Sequence, residues 1–71
     1  MEITIRDEFI KLGQALKLAD LVSDGVEAKY VISDGLVKVN GDVDTRRGRK
    51  VYDGDIISYN GQEVKVVTGK A

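Results

Sequence analysis

The sequence contains no cysteine, histidine, proline or tryptophan. Without cysteine and histidine there is no zinc knuckle, disulfide framework, Ser-His triad or cysteine nucleophile. We therefore expect neither an enzyme nor a bound metal or cofactor, and we assign no catalytic residues and no small-molecule substrate. The chain of 71 residues is 42% hydrophobic and 32% charged, which is ordinary for one small folded domain.

Long apolar segments are also missing. No run approaches the roughly 18 residues that a membrane-spanning helix needs. The N-terminal sequence MEITIRDEF has neither the basic start nor the apolar stretch of a secretion signal. We therefore expect a cytoplasmic protein without a membrane partner.

The first twenty residues change from a strand pattern to a helix pattern. Ile3 and Ile5 alternate with polar neighbours, which predicts a short strand over 2–6. The spacing of three and four residues then predicts an amphipathic helix from Asp7, as its N-cap, to near Leu21, with apolar positions at Phe9, Leu12, Leu16 and Ala19. Gly13 lies inside this helix at a cost of about 1 kcal/mol relative to alanine, so we expect it to mark a close contact with another helix.

The remaining pattern predicts one more helix and then only strands. The turn at 23–25 leads into a helix over 26–34, and Gly35 ends it. Strands over 36–39, 56–59 and 63–67 are separated by turn sequences, of which Asn40-Gly41 and Asn60-Gly61 favour type I′ hairpins. The predicted fold class is α+β: a short N-terminal strand and two packed helices, followed by a small, mostly antiparallel sheet.

The charges are unevenly distributed although the net charge is only −1. Residues 29–50 contain six basic and three acidic residues, whereas the rest contains five basic and nine acidic residues. Four of the cations lie within five residues of one another, at Arg46, Arg47, Arg49 and Lys50. This segment is either a solvated loop whose charge is partly offset by Asp42 and Asp44, or a phosphate-binding loop, since arginine matches phosphate oxygens with paired hydrogen bonds.

Other polar residues have both structural and functional interpretations. Lys11, Gln14 and Lys17 share one face of the first helix, and such a face is either plain solvated surface or part of a binding site. Lys29 lies near the start of the second helix, where the helix dipole disfavours a cation, so either a ligand or a salt bridge to Glu27 or Asp24 is expected there. The tyrosines at 30, 52 and 59 are mainly structural, with base stacking as the alternative. Asp53 and Asp55 are explained by the turn at Gly54, without a metal.

Taken in order, these features resemble a known family. The residues that show this resemblance are Leu12-Gly13-Gln14-Ala15-Leu16-Lys17, Ser23-Asp24-Gly25, Glu27-Ala28-Lys29, Gly35, Val37, Val39-Asn40-Gly41, Arg46-Arg47-Gly48-Arg49-Lys50 and Gly54-Asp55. Together they resemble the S-four RNA-binding domain, also called the alpha-L motif, and most closely its short free-standing bacterial members. The resemblance spans about residues 8–67 of a single domain covering 1–71. Many relatives have two glycines where this chain has Asp24-Gly25-Val26.

The resemblance implies a non-catalytic protein that holds structured RNA. By that carry-over the RNA-binding residues are Lys29, the turn residues Ser23 and Gly25, and the loop cations Arg46, Arg47, Arg49 and Lys50, with Lys11, Lys17 and Lys38 as a weaker rim. The expected partner is ribosomal or transfer RNA, with association with the ribosome as a further expectation and a monomer as the expected state. The alternative is a small protein-interaction module that docks its basic loop on an acidic partner surface.

Overall fold

The computed structural model describes residues 1–69. The elements in chain order are β1 (Glu2–Ile5), β2 (Phe9–Lys11), α1 (Leu12–Leu18), α2 (Gly25–Ser33), β3 (Val37–Val39), β4 (Asp42–Val43), β5 (Lys50–Tyr52), β6 (Ile56–Tyr59) and β7 (Gln62–Thr68). Five strands form one sheet in the order β1-β7-β6-β3-β4, and β2 pairs with β5 in a separate ribbon. All pairings are antiparallel except β1 with β7. The predicted α+β class is confirmed.

One hydrophobic core joins the helices to both sheets. The strands contribute every second residue, as a sheet with one buried face requires. Leu12, Leu16 and Ile32 of the helices are fully buried in the same cluster. The strand residues of that cluster are Ile3, Ile5, Val37, Val39, Val51, Ile57, Val64 and Val66.

The first helix starts later and ends earlier than its apolar spacing predicts. Phe9 to Lys11 are extended because they pair with Lys50 to Tyr52, and the Phe9 ring lies 5.9 Å from that of Tyr52. Asp7 is therefore not the N-cap, and the helix begins after Lys11. At the other end Asp20 takes a φ of 59°, and the amides of Asp20 and Leu21 close the last turn onto the carbonyls of Lys17 and Leu16. This is a Schellman end with aspartate in the position that glycine usually fills.

The second helix and the hairpins match their predictions. Asp24 caps α2 by accepting a hydrogen bond from the Glu27 amide, and Gly35 ends the helix with a φ of 76°. Asn40-Gly41 and Asn60-Gly61 both adopt the positive φ angles of a type I′ turn. The side chain of Asn40 also accepts a hydrogen bond from the Ile56 amide at 2.9 Å and donates one to Asp55 at 3.0 Å. These bonds connect the turn to the start of β6.

These two turns provide a matched pair of stability tests. Asn40→Gly keeps a residue that tolerates positive φ but removes both side-chain hydrogen bonds, so we expect it to lower the free energy of unfolding by about 1–2 kcal/mol. Asn60→Gly is the control, because the Asn60 side chain forms no hydrogen bond within residues 1–69 and the backbone cost of glycine is the same. Urea unfolding measures both, and equal losses in the two variants would contradict the role given to Asn40.

Candidate nucleic-acid interface

Three of the four clustered cations lie on the segment that joins β4 to β5, and the fourth, Lys50, is the first residue of β5. We call residues 45–50 the basic loop. Its backbone completes the start of α1, where Lys11 supplies no side-chain cap. The carbonyl of Arg49 accepts from the Leu12 amide at 2.8 Å and that of Arg47 accepts from the Gly13 amide at 3.1 Å. Since the first amides of a helix lack partners within it, these two bonds attach the basic loop to α1.

Gly13 allows this attachment. A Cβ atom at residue 13 would lie 2.8 Å from Cγ of Arg47, closer than real carbon atoms pack. The sequence predicts a close contact at Gly13, and the contact exists, but its partner is the basic loop. The Arg47 side chain consequently passes directly over the first turn of α1.

Asp44 offsets part of the loop's charge. Its carboxylate forms ion pairs with Arg46 at 2.9 Å and with Arg49 at 2.8 Å. Asp42, the other acid expected to do so, forms no ion pair within residues 1–69. The pKa of Asp44 lies below its ordinary value of 3.8, chiefly because the Arg46 side chain donates a hydrogen bond to the carboxylate. The backbone amide of Arg46 and the positive charges of Arg46 and Arg49 lower it further. The same contact raises the pKa of Arg46.

The remaining two loop cations have different surroundings. The Nζ atom of Lys50 lies 4.8 Å from the centre of the Phe9 ring, within the range of a cation–π contact. Arg47 is exposed and forms no ion pair among the described residues. Arg47 is thus the loop cation whose charge is least engaged by the protein.

A surface depression of about 320 Å³ lies beside Arg47, between α1, the start of α2 and the basic loop. Its cations come from two parts of the fold: Lys11 at the end of β2 and Lys17 in the last turn of α1, and Arg47 on the basic loop. No carboxylate of residues 1–69 lines it, whereas a larger depression of about 550 Å³ beside α1 includes Asp7. The complete lining is Lys11, Gly13, Gln14, Lys17, Gly25, Ala28, Arg47 and Gly48.

The structure therefore brings together some of the predicted site residues and separates others. Lys11, Lys17, Gly25 and Arg47 share the depression. Lys38 lies on β3 between two buried valines, so its side chain is on the outer face of the large sheet, opposite the core. Gly13, Gln14, Ala28 and Gly48 complete the lining and are not among the predicted binding residues. The sequence pattern pointed to Gln14 through the helix face that it shares with Lys11 and Lys17, for which a binding site was one interpretation.

Acidic side chains at the start of α2 accept hydrogen bonds from backbone amides there. Asp24 accepts from the Glu27 amide at 2.8 Å, and Glu27 accepts from the Ser23 amide at 2.7 Å. The backbone amide of Ser23 is therefore already bonded. Lys29 is exposed on the next turn, and the salt bridge expected with Glu27 or Asp24 is not formed in the described structure.

The aspartates of the 53–55 turn bond to backbone amides. Asp53 accepts from Thr68 at 2.8 Å, and Asp55 accepts from Tyr52 at 2.8 Å. Asp55 thus bonds within the turn, as the sequence predicts, whereas Asp53 bonds to the end of β7. Across residues 1–69, His, Cys, Asp and Glu form no group of three that could hold a metal ion. No helix in that range is long and apolar enough to cross a membrane.

Gly13 can be tested against a second loop glycine. Gly13→Ala places a methyl group against Arg47, so we expect it to lower the free energy of unfolding by about 1–2 kcal/mol although alanine favours helices. Gly48→Ala is the control, since a Cβ at Gly48 meets nothing within 4 Å and its φ is not positive. Chemical denaturation compares the two. A Gly13 variant as stable as the parent would mean that the loop does not pack on α1 in this way.

The lowered pKa of Asp44 predicts a pH dependence. A carboxylate whose pKa is lower in the folded state stabilises the fold above its unfolded pKa, and that contribution is lost as pH falls through the folded value. The difference in unfolding free energy between the parent and Asp44→Asn should therefore be constant above about pH 5 and shrink below pH 3.8. Carboxyl NMR of the parent should give a titration midpoint below 3.8 for Asp44, and a midpoint at or above that value would contradict the ion pairs.

Comparison with known proteins finds relatives over most of the chain. The family model described as S4 domain matches residues 3–67. The chain is 49% identical over 59 residues, 83% of each chain, to the Bacillus subtilis (strain 168) protein named "Probable ribosome maturation protein RlbA". It is 40% identical over 58 residues to YbcJ of Escherichia coli (strain K12), covering 82% of this chain and 83% of YbcJ, which is named a putative RNA-binding protein.

A solved structure supports the same assignment. The solution structure of Escherichia coli YbcJ, described as revealing an alpha-L motif involved in RNA binding, superimposes with a TM-score of 0.72 at 34% identity. The match covers 93% of this chain and 85% of the YbcJ chain. The resemblance read from the motifs is thereby confirmed, and the chain belongs to the S4 domain family.

Proposed function

We propose that this chain is a non-catalytic RNA-binding protein that holds structured RNA across the depression between α1 and the basic loop. The observation that carries the proposal is the lining of that depression, where Lys11, Lys17 and Arg47 converge without a carboxylate from residues 1–69. Cations on two separate elements can contact phosphates on two sides of a groove. Membership of the S4 domain family and the RNA-binding motif described for YbcJ support an RNA ligand.

The proposed contacts follow from exposure. Arg47 contacts phosphate from the loop, Arg46 adds a second loop contact because its side chain is 73% exposed, and Lys11 and Lys17 contribute from the other side. Lys29 is exposed on α2 outside the lining of the depression and adds a further contact. Gly25 lines the depression and faces open space, so it allows close approach of the RNA backbone. Lys50 has a partial role, since its charge rests on Phe9. Lys38 is outside this surface.

Recognition by shape suits this arrangement. Double-stranded RNA exposes its phosphates and 2′-hydroxyl groups in a wide minor groove, while its major groove is too narrow for side chains to read. A stem or a stem-loop junction is therefore the proposed substrate. Because RlbA is named for ribosome maturation, ribosomal RNA is the proposed source, with transfer RNA as the alternative. We propose that the protein acts in the cytoplasm as a monomer.

Salt dependence tests the phosphate contacts. If about four phosphates are neutralised on duplex RNA, the logarithm of the binding constant should fall with the logarithm of salt concentration at a slope of about −3.6. The probe is a fluorescent RNA hairpin whose stem spans a full helical turn, titrated by anisotropy. Arg47→Ala should weaken binding and reduce the slope by about one. A DNA duplex of the same sequence should bind more weakly, because it lacks the 2′-hydroxyl groups and the A-form shape.

Lys65 provides the matched control. It lies on β7 between two buried valines and therefore on the outer face of the large sheet. Lys65→Ala removes the same unit of charge and should leave the slope unchanged, and Lys38→Ala should behave in the same way. A flat salt response, or an equal effect of Arg47→Ala and Lys65→Ala, would overturn the proposed surface. Capture of a protein that survives nuclease treatment, with no binding to the hairpin, would favour the protein-docking alternative.

A further inference from the structure

Asp44 is an acidic residue directly before a loop whose proposed function requires positive charge. We infer that Asp44 is a positioning residue that holds the basic loop in its RNA-binding shape, and that Arg49 is its structural partner and makes no phosphate contact. The inference rests on the proposed function, because it assigns roles within the same site. The four cations of the basic loop look equivalent in the sequence, but by this inference they have two kinds of role, phosphate contact and support of the loop.

Several hydrogen bonds of the loop converge on the Asp44 carboxylate. Oδ1 accepts from the Arg46 amide at 3.0 Å and from Arg46 Nε at 3.1 Å. Oδ2 accepts from Arg46 Nη2 at 2.9 Å and pairs with Arg49 Nε at 2.8 Å. Only 11% of the Asp44 side chain is exposed, so these donors replace most of its contact with water. The carboxylate thus fixes the chain on both sides of Arg47.

Arg49 faces the protein. Its side chain is 27% exposed, compared with 73% for Arg46. Its Nη1 atom is buried and has no hydrogen-bond partner among the described residues, so this donor is shielded from a ligand as well as from solvent. Its backbone is also engaged, since the amide donates to the Arg46 carbonyl and the carbonyl accepts from the Leu12 amide. With Nε paired with Asp44 and Nη1 buried, two of the three guanidinium nitrogens of Arg49 are withheld from a phosphate.

The result is a loop held at both ends around Arg47, a cation that forms no ion pair in the part of the chain described. Asp44 holds Arg46 and Arg49 through its carboxylate, and α1 holds Arg47 and Arg49 through their carbonyls. The Arg47 side chain then lies over Gly13 at the edge of the depression. A side chain whose backbone is already fixed loses less conformational freedom on binding, which favours affinity without adding a contact.

The direction of the change in RNA affinity on replacing Asp44 distinguishes a positioning role from the effect of its negative charge. If only net charge mattered, removing a carboxylate beside the basic loop would strengthen binding to RNA. If Asp44 positions the loop, removing it weakens binding although the protein becomes more positive. The two mechanisms therefore predict opposite changes for one substitution.

The experiment compares Asp44→Asn with Asp42→Asn on the same RNA hairpin. Asp42 lies two residues away, and its side chain forms neither an ion pair nor a hydrogen bond within residues 1–69, so its substitution changes charge alone. Asp42→Asn should bind as tightly as the parent or tighter. Asp44→Asn should bind about tenfold more weakly, as expected for the loss of a charge-assisted hydrogen-bond network. Equal or tighter binding by Asp44→Asn, relative to Asp42→Asn, overturns the inference.

Arg49 gives a second readout that does not depend on Asp44→Asn being folded. Arg49→Ala removes the partner of Asp44 without removing a phosphate contact, so we expect weaker binding with an unchanged salt slope, whereas loss of a phosphate contact lowers the slope by about one. If Arg49→Ala lowers the salt slope as much as Arg47→Ala does, Arg49 is a phosphate ligand and its assignment as the structural partner of Asp44 is wrong. Circular dichroism verifies the fold of each variant. If the parent itself fails to bind structured RNA, the proposed function fails, which is a different result from any of these.

Discussion

The first two amides of α1 determine how the site is built. Because Lys11 provides no side-chain cap for this seven-residue helix, its start depends on the carbonyls of Arg47 and Arg49. The helix and the basic loop are thus two parts of one hydrogen-bonded unit, although more than thirty residues separate them in sequence. The β2–β5 ribbon brings the two segments side by side, and Gly13 leaves room for the loop to lie on the helix. The loop and the start of α1 therefore line the same depression.

This construction explains how a protein of net charge −1 can present a positive surface. The acidic side chains near the site contact other groups of the protein. Asp24 and Glu27 accept hydrogen bonds from backbone amides at the start of α2, and Asp44 forms ion pairs with Arg46 and Arg49. Their carboxylates are therefore absent from the lining of the depression. The local arrangement of charge, which decides electrostatic attraction, differs from the sum over the chain.

Local signals predicted much of this fold. The hairpins at Asn40-Gly41 and Asn60-Gly61 and the second helix with Gly35 after it all depend on neighbouring residues, and all were predicted. The start of α1 was not, because Phe9 is extended only through pairing with Tyr52 far along the chain. Its end was missed because Asp20 adopts the left-handed conformation without being glycine. At the site, the sequence identified the cations and the unusual Gly13, but only tertiary contacts show that Arg49 is turned inward while Arg47 remains exposed.

We propose that RNA lies across the depression between α1 and the basic loop. Amide NMR of the labelled protein, titrated with an RNA hairpin, can follow nearly every residue, because every residue type except proline carries a backbone amide and this chain has no proline. We expect shifts concentrated at Gly13, Gly25, Arg47 and Gly48, with the outer face of the large sheet at Lys38 and Lys65 unchanged. Shifts concentrated on that outer face, with the amides of the depression unaffected, would contradict it.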